Sequence, residues 1–65
     1  MKIIAKPLLT IDKERKITPI ERGGRIYLHI TKTRFLGSGA TIEDAISDAN
    51  ARTFNTGYRA EVIAQ

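Results

Sequence analysis

The residues best suited to bind an anionic partner lie between positions 22 and 34. Arg25, Tyr27 and His29 are separated by apolar residues, so a strand would place these three side chains together on one face. Arginine binds phosphates or guanine edges, whereas tyrosine and histidine hydrogen-bond to bases or stack on them. A half-exposed sheet needs a polar face in any case, so a purely structural interpretation stays open. We predict a nucleic-acid-binding face made of Arg22, Arg25, Tyr27, His29, Lys32 and Arg34.

Other chemistries receive less support from the residue spacing. A nucleophilic triad would have to combine His29 with Ser38 or Ser47, and nothing in their spacing favours one. Gly37-Ser38-Gly39 before a helix could cradle a phosphate, but acidic residues follow it, and a flexible turn is the better interpretation. The chain has no cysteine and one histidine, which excludes disulfides and disfavours a metal site. We expect a protein that is not an enzyme and uses no cofactor or metal.

The length of 65 residues fits a single domain over positions 1–65. Domains below about 70 to 80 residues usually need a disulfide, a metal or a partner subunit to supplement a small core. Because the chain cannot form a disulfide, homodimerisation is the remaining means of supplementing the core.

The apolar segments are too short for a membrane protein. None approaches the roughly 18 residues that span a bilayer, and Lys6 and Pro7 interrupt the opening segment before it could form a secretory signal core. We therefore expect a soluble, cytoplasmic protein with no membrane partner.

The net charge of +4 is distributed unevenly along the chain. Nine basic and three acidic residues precede Leu36, whereas two basic and four acidic residues lie after it. The strands should therefore be basic and the helix acidic, and a basic surface is the electrostatic footprint of a polyanion-binding protein. A strand ribbon fits the DNA major groove, which favours DNA over RNA as the partner.

Alternation and turn residues predict the strands of the first half. Residues 1–9 alternate as a half-buried strand that Pro7 ends or confines to an edge. Residues 10–16 are almost wholly polar and indicate a mobile connection. Pro19 gives the next short strand an edge position, and Gly23-Gly24 supplies the positive φ angles of a two-residue hairpin.

The second half predicts one further basic strand, a helix and a final strand. Arg34-Phe35-Leu36 should run back beside the hairpin, with Arg34 extending the positive surface. Residues 58–65 alternate again and should form a strand beside the first one. Proline partly protects the edges of the earlier strands, but the final strand has no such residue and should present an open edge.

The helix is predicted by its cap and its apolar stripe. Thr41 can accept a hydrogen bond from the amide of Asp44, and acidic residues in the first turn favour the positive end of the helix dipole. Asn55 and Gly57 can close the helix in the left-handed conformation. The apolar stripe consists of Ile42, Ala45, Ile46 and Ala49, with Thr53 and Phe54 near its far end.

The segments Gly24–Ile30, Thr33–Gly37 and Ala40–Ala45 together resemble several known families. They are similar to the three-stranded-sheet-plus-helix DNA-binding domains of the plant ethylene-response-factor type and of the arm-binding type in phage tyrosine recombinases. In those domains the sheet lies in the major groove, so the resemblance implies that Arg25, Tyr27 and Arg34 face DNA. A weaker similarity is to HicB-type antitoxins, which bind and block a toxin protein, and a third is to double-stranded-RNA-binding domains.

These sequence features together predict a fold class and a function. The fold class is α+β: a small antiparallel sheet of three to five strands with one amphipathic helix packed on one face. The function is that of a small, basic, non-enzymatic nucleic-acid-binding protein of phage or mobile-element origin, acting through the basic sheet face. The alternative is a protein-binding inhibitor or HicB-like antitoxin module, whose partner would be another protein.

Overall fold

The computed structural model describes residues 2–9, 11, 13–31 and 34–63 of the chain. Six strands and two helices follow one another along these residues. They are β1 (Lys2–Pro7), β2 (Arg15–Lys16), β3 (Thr18–Arg22), β4 (Arg25–His29), β5 (Phe35–Gly39), α1 (Ile42–Ala51), α2 (Thr53–Thr56) and β6 (Tyr58–Ile63).

The strands form two antiparallel three-stranded sheets, in the orders β2-β1-β6 and β3-β4-β5. The predicted α+β class is confirmed, with the main helix α1 packed against both sheets. The predicted pairing of the final strand with the first is also confirmed, because Ile3 lies opposite Val62 and Ala5 opposite Ala60. The polar connection after β1 differs from the prediction, since Arg15 and Lys16 pair with β1 as the short strand β2.

The two sheets are joined through Ile17, the residue between β2 and β3. Its side chain is 2% exposed, and its amide donates to the carbonyl of Ile3 at 3.0 Å. The chain therefore passes from one sheet to the other at a point buried in the common core. Eight apolar residues are buried there: Ile3, Ala5, Ile17, Leu28, Leu36, Ala45, Ala49 and Ala60.

The predicted hairpin is confirmed in its turn and its register. Gly23 and Gly24 have φ angles of 59° and 77°, which an L-residue rarely adopts. The two-residue turn brings β3 back against β4, so that Arg22 lies opposite Arg25. Pro19 lies in β3, which is the edge strand of its sheet, as predicted.

The segment Gly37-Ser38-Gly39 is a strand and not the predicted flexible turn. It belongs to β5, where Gly37 lies opposite Leu28. A Cβ atom on Gly37 would lie 2.5 Å from the amide nitrogen of Ala49, so helix α1 packs directly on the bare backbone of this strand. Glycine is required here for the close approach of the helix, which a sequence pattern alone does not reveal.

An irregularity in β5 places an additional side chain in the core. Gly37 lies opposite Leu28 and Phe35 opposite His29, so the intervening Leu36 has no partner in the register. Such a bulge changes the direction of the side chains beside it. Leu36 is 1% exposed, whereas Phe35 is 38% exposed on the other side of the sheet.

Helix α1 begins as predicted and ends earlier than its apolar stripe suggests. The Thr41 hydroxyl accepts from the Asp44 amide at 3.1 Å, and Ala45 and Ala49 are buried. The helix stops at Ala51, and the separate turn α2 closes on a left-handed Gly57. Phe54, predicted near the end of the stripe, is instead 95% exposed, and the backbone of Arg52, with φ −103° and ψ 12°, interrupts the helix before it.

Candidate nucleic-acid interface

The face of β3, β4 and β5 that points away from α1 is the candidate interface, and we call it the outer face. Leu28 of β4 points into the core, and period-two alternation turns its neighbours Tyr27 and His29 the other way. The register places partners from β3 and β5 beside them. The outer face comprises Ile20, Arg22, Arg25, Tyr27, His29, Phe35 and Ser38.

Three rings lie side by side across the middle of the outer face. The ring centroids of Tyr27 and Phe35 are 6.3 Å apart with an interplanar angle of 53°. The His29 and Phe35 centroids are 5.7 Å apart, with an edge-to-face angle of 63°. These distances lie in the range of favourable aromatic pairs, so the rings support one another and stay partly open to solvent.

A groove runs along β3 and β4 beside these rings. It has a volume of about 420 Å³ and is lined by Ile20, Arg22, Tyr27 and His29. The His29 ring lines this groove, while its Nδ1 atom is buried and has no hydrogen-bond partner among the residues that the structure describes. A group bound in the groove would therefore meet the remainder of the imidazole ring and not this buried nitrogen.

The predicted cations are only partly brought together. Arg22 and Arg25 are exposed at the hairpin end of the outer face, and the Arg25 guanidinium donates to the Ser38 hydroxyl at 3.3 Å. Arg34 is directed elsewhere, since its guanidinium donates at 2.9 Å to the carbonyl of Thr56 at the end of α2. Lys32 lies outside the described residues. Four of the six predicted site residues therefore share the outer face: Arg22, Arg25, Tyr27 and His29.

A further cation, Arg52, reaches the outer face from the end of α1. Its guanidinium carbon lies 5.7 Å from the centroid of the Phe35 ring, within the range of a cation-π contact. Its Nε also donates to Asp48 at 3.1 Å. The sequence analysis assigned the helix to an acidic surface and so missed Arg52. The i,i+4 spacing of Asp48 and Arg52 is typical of an ion pair, but it does not indicate that the Arg52 guanidinium lies over the Phe35 ring.

Asp48 fastens helix α1 to the edge of β5. Its carboxylate accepts from the backbone amide of Ser38 at 2.9 Å as well as from Arg52. The Ser38 amide lowers the pKa of Asp48 most, burial opposes this, and the charges of Arg52 and Arg25 lower it further. The carboxylate is therefore held in its charged form beside the outer face, where it partly neutralises Arg52.

Two backbone amides at the edge of the final strand are hydrogen-bonded to side chains, which the sequence pattern does not indicate. The Ala60 amide donates to the side-chain oxygen of Asn50 at 2.8 Å, and the Tyr58 amide donates to the Thr56 hydroxyl at 3.2 Å. The final strand does lie at the edge of its sheet and has no proline, but over this part side chains of the helices accept from its amides. Partner binding by strand addition at these positions is disfavoured.

The described residues contain neither a metal-binding cluster nor a membrane-spanning helix. Within residues 2–9, 11, 13–31 and 34–63, no group of three or more histidine and carboxylate side chains could hold a metal ion. Among the same residues, neither helix has the length and apolar character needed to cross a membrane.

The chain was compared with models of protein families, with curated proteins and with solved structures, and none of the three comparisons gives a match.

Proposed function

We propose that this protein binds nucleic acid through the outer face of the β3-β4-β5 sheet. The observation that carries the proposal is the row of rings formed by Tyr27, His29 and Phe35, with arginine guanidinium groups at its margins. Rings of this kind stack on bases, and guanidinium groups bind the adjoining phosphates. The proposed function is binding, and it involves no cofactor and no covalent step.

The arginines at the margin of the outer face have complementary roles in this proposal. Arg22 and Arg25 project from the hairpin end, so a phosphate backbone would pass over the turn. Arg52 lies over the ring of Phe35, which belongs to β5, the edge strand on the other side of the sheet from β3. The three cations thus border the rings on more than one side, as expected for a strand of nucleic acid that crosses the sheet.

The contribution of Arg25 tests the proposal. Binding to labelled DNA and RNA should weaken steeply as salt rises, because phosphate contacts release counterions. Arg25→Ala should weaken binding and reduce the slope of log affinity against log salt by about 1. Fluorescence anisotropy over a salt series measures both quantities.

Arg59→Ala is the matched control, because Arg59 carries the same charge on β6 of the other sheet and pairs with Glu61 at 3.5 Å. Its slope should equal that of the unmodified protein. Equal effects of the two variants would show that binding depends only on the net charge of the protein and not on the outer face. An absence of binding at low ionic strength would contradict the proposal. A protein that stays bound after nuclease treatment of a host lysate would in that case indicate the inhibitor class.

A further inference from the structure

We infer that the outer face binds unpaired bases of a single-stranded nucleic acid, with one base held in the groove beside His29. The inference rests on the proposed function and specifies its substrate class. It follows from the chemistry of the side chains that line the face, from the cations described around them and from the position of the His29 ring in the groove.

The side chains at the centre of the face are suited to base faces and not to a duplex surface. A duplex presents phosphates and base edges, and its base faces are stacked on one another. Tyr27 and His29 offer ring surface beside Phe35, which is 38% exposed, and Ile20, which is 40% exposed. Rings and apolar side chains on an open sheet are the means by which unpaired bases are stacked and held.

Within residues 2–9, 11, 13–31 and 34–63, the outer face has few cations that are available to a duplex. Among the described residues, Arg22 and Arg25 are its exposed cations at the hairpin end. Arg52 forms an ion pair with Asp48, and the Arg34 guanidinium donates a hydrogen bond to the carbonyl of Thr56. A protein that binds a duplex through about 6 to 10 phosphate contacts needs more cations than these. Stacking must therefore supply a larger share of the affinity, which only unpaired bases permit.

The groove beside His29 has the dimensions and the polar group of a base pocket. Its volume of about 420 Å³ is within the usual range of small-molecule pockets. Ile20 and Tyr27 provide its apolar and aromatic walls, and Arg22 stands at its margin. The His29 imidazole completes the lining, and the edge of a base offers both donors and acceptors to an imidazole ring.

The test compares single strands with duplexes of the same length. Anisotropy is measured with homopolymers of about twelve nucleotides, in DNA and RNA forms, and with a duplex of about twelve base pairs. Single strands should bind at least about tenfold more tightly than the duplex at the same salt concentration. The DNA and RNA arms show whether the 2′-hydroxyl contributes.

Two substitutions test whether the bases bind to the outer face. Tyr27→Leu keeps an apolar side chain but removes the ring, and it should weaken single-strand binding about tenfold. Its fold is checked by circular dichroism and its melting temperature. His29→Phe keeps an aromatic ring beside Phe35 but removes both ring nitrogens and so the hydrogen bonds of the imidazole, and it should change the order of preference among the four homopolymers. Tyr58→Phe, on the other sheet, is the control and should change neither quantity.

The outcomes separate this inference from the function on which it rests. Equal affinity for duplex and single strands, with a normal effect of Arg25→Ala and none of Tyr27→Leu, would overturn the inference and leave nucleic-acid binding in place. An unchanged homopolymer preference in His29→Phe would overturn the base pocket. A dimer in sedimentation that Tyr27→Leu dissociates, without binding to any oligonucleotide, would overturn both.

Discussion

Asp48 shows how one carboxylate can hold two layers of a small protein together. It accepts from the Ser38 amide on β5 and from Arg52 one turn further along α1. Each contact alone is modest at a partly exposed position, because water competes for the same groups. Together they fix the end of the helix beside the strand, and they also position the guanidinium over Phe35. The residue is therefore structural, yet it determines the charge next to the outer face.

The depressed pKa of Asp48 has a consequence for stability against pH. A carboxyl whose folded-state pKa is below its unfolded value stabilises the protein above the unfolded pKa, and this contribution is lost as pH falls through the folded pKa. Asp48→Asn should therefore unfold more easily than the unmodified protein at neutral pH, by about 1 kcal/mol. The difference should disappear below the ordinary aspartate range. Urea unfolding at a series of pH values measures it.

Glu21→Gln is the control for this experiment, because it removes an exposed carboxylate from β3. Its stability should follow that of the unmodified protein across the same pH range. A difference between Asp48→Asn and the unmodified protein that persists unchanged to acid pH would show that charge plays no part at this position.

At the scale of the elements, the contact between α1 and β5 positions the outer face. The helix lies against bare glycine backbone at Gly37 and Gly39, and the alanines of its inner stripe face the same strand. This close approach buries Leu28 and Leu36 beneath the helix. The side chains on the reverse of the sheet therefore stand on a rigid layer, as a preformed binding face requires.

Gly37→Ala should separate these two elements. The added methyl carbon would lie 2.5 Å from the amide nitrogen and 2.7 Å from the Cα of Ala49, so the helix backbone itself must move. We expect a loss of about 1 to 3 kcal/mol in the free energy of unfolding. Thermal unfolding followed by circular dichroism measures it.

A second substitution tests the cause. Ala49→Gly removes only the Cβ atom from the contact and leaves the helix backbone in place. The double variant Gly37→Ala with Ala49→Gly should therefore not regain the lost stability. Recovery would show that the side chain of Ala49, and not the backbone, limits the approach.

At the scale of the whole molecule, the two sheets share one core. Half of its eight buried apolar residues are alanines, so the larger side chains contribute most of the buried surface. Ile17 belongs to neither sheet; its amide donates to β1, and its side chain is buried in the core that the two sheets share. Loss of packing at this point should affect both sheets together, and we expect the chain to unfold as one cooperative unit.

Ile17→Ala tests this expectation. Truncating a buried isoleucine costs about 2 to 5 kcal/mol, which is a large part of the stability of a small domain. Amide exchange should accelerate in β1 and in β4 by the same factor. Ile11→Ala is the control, because Ile11 is 86% exposed, and it should leave exchange unchanged. Faster exchange in one sheet alone would show that the sheets unfold independently.

The sequence predicted those features that depend on neighbouring residues. The Gly23-Gly24 hairpin and the Thr41 cap follow from backbone conformations and side-chain acceptors that act within a few positions. The faces of β4 followed from alternation, and so the placement of Tyr27 and His29 on the outer face could be foreseen. These local rules were sufficient for the centre of the candidate site.

The remaining features depend on contacts between distant parts of the chain. The role of Gly37 in β5 requires knowledge that α1 packs on that strand. Arg34 points to Thr56, 22 positions away in the chain, and Arg52 lies over Phe35, which a local pattern does not indicate. The margin of the site was therefore predicted less well than its centre, because its cations take their positions from the tertiary structure.

The side-chain oxygen atoms that accept from the amides of Ser38, Tyr58 and Ala60 have a consequence for crowded conditions. Fibril growth needs rows of unsatisfied main-chain donors onto which a neighbouring molecule can add its own strand. Asp48, Thr56 and Asn50 withdraw three such donors from two different sheets. Under the proposed function, in which the protein would gather along a nucleic acid, these contacts disfavour amyloid-like association at the three positions.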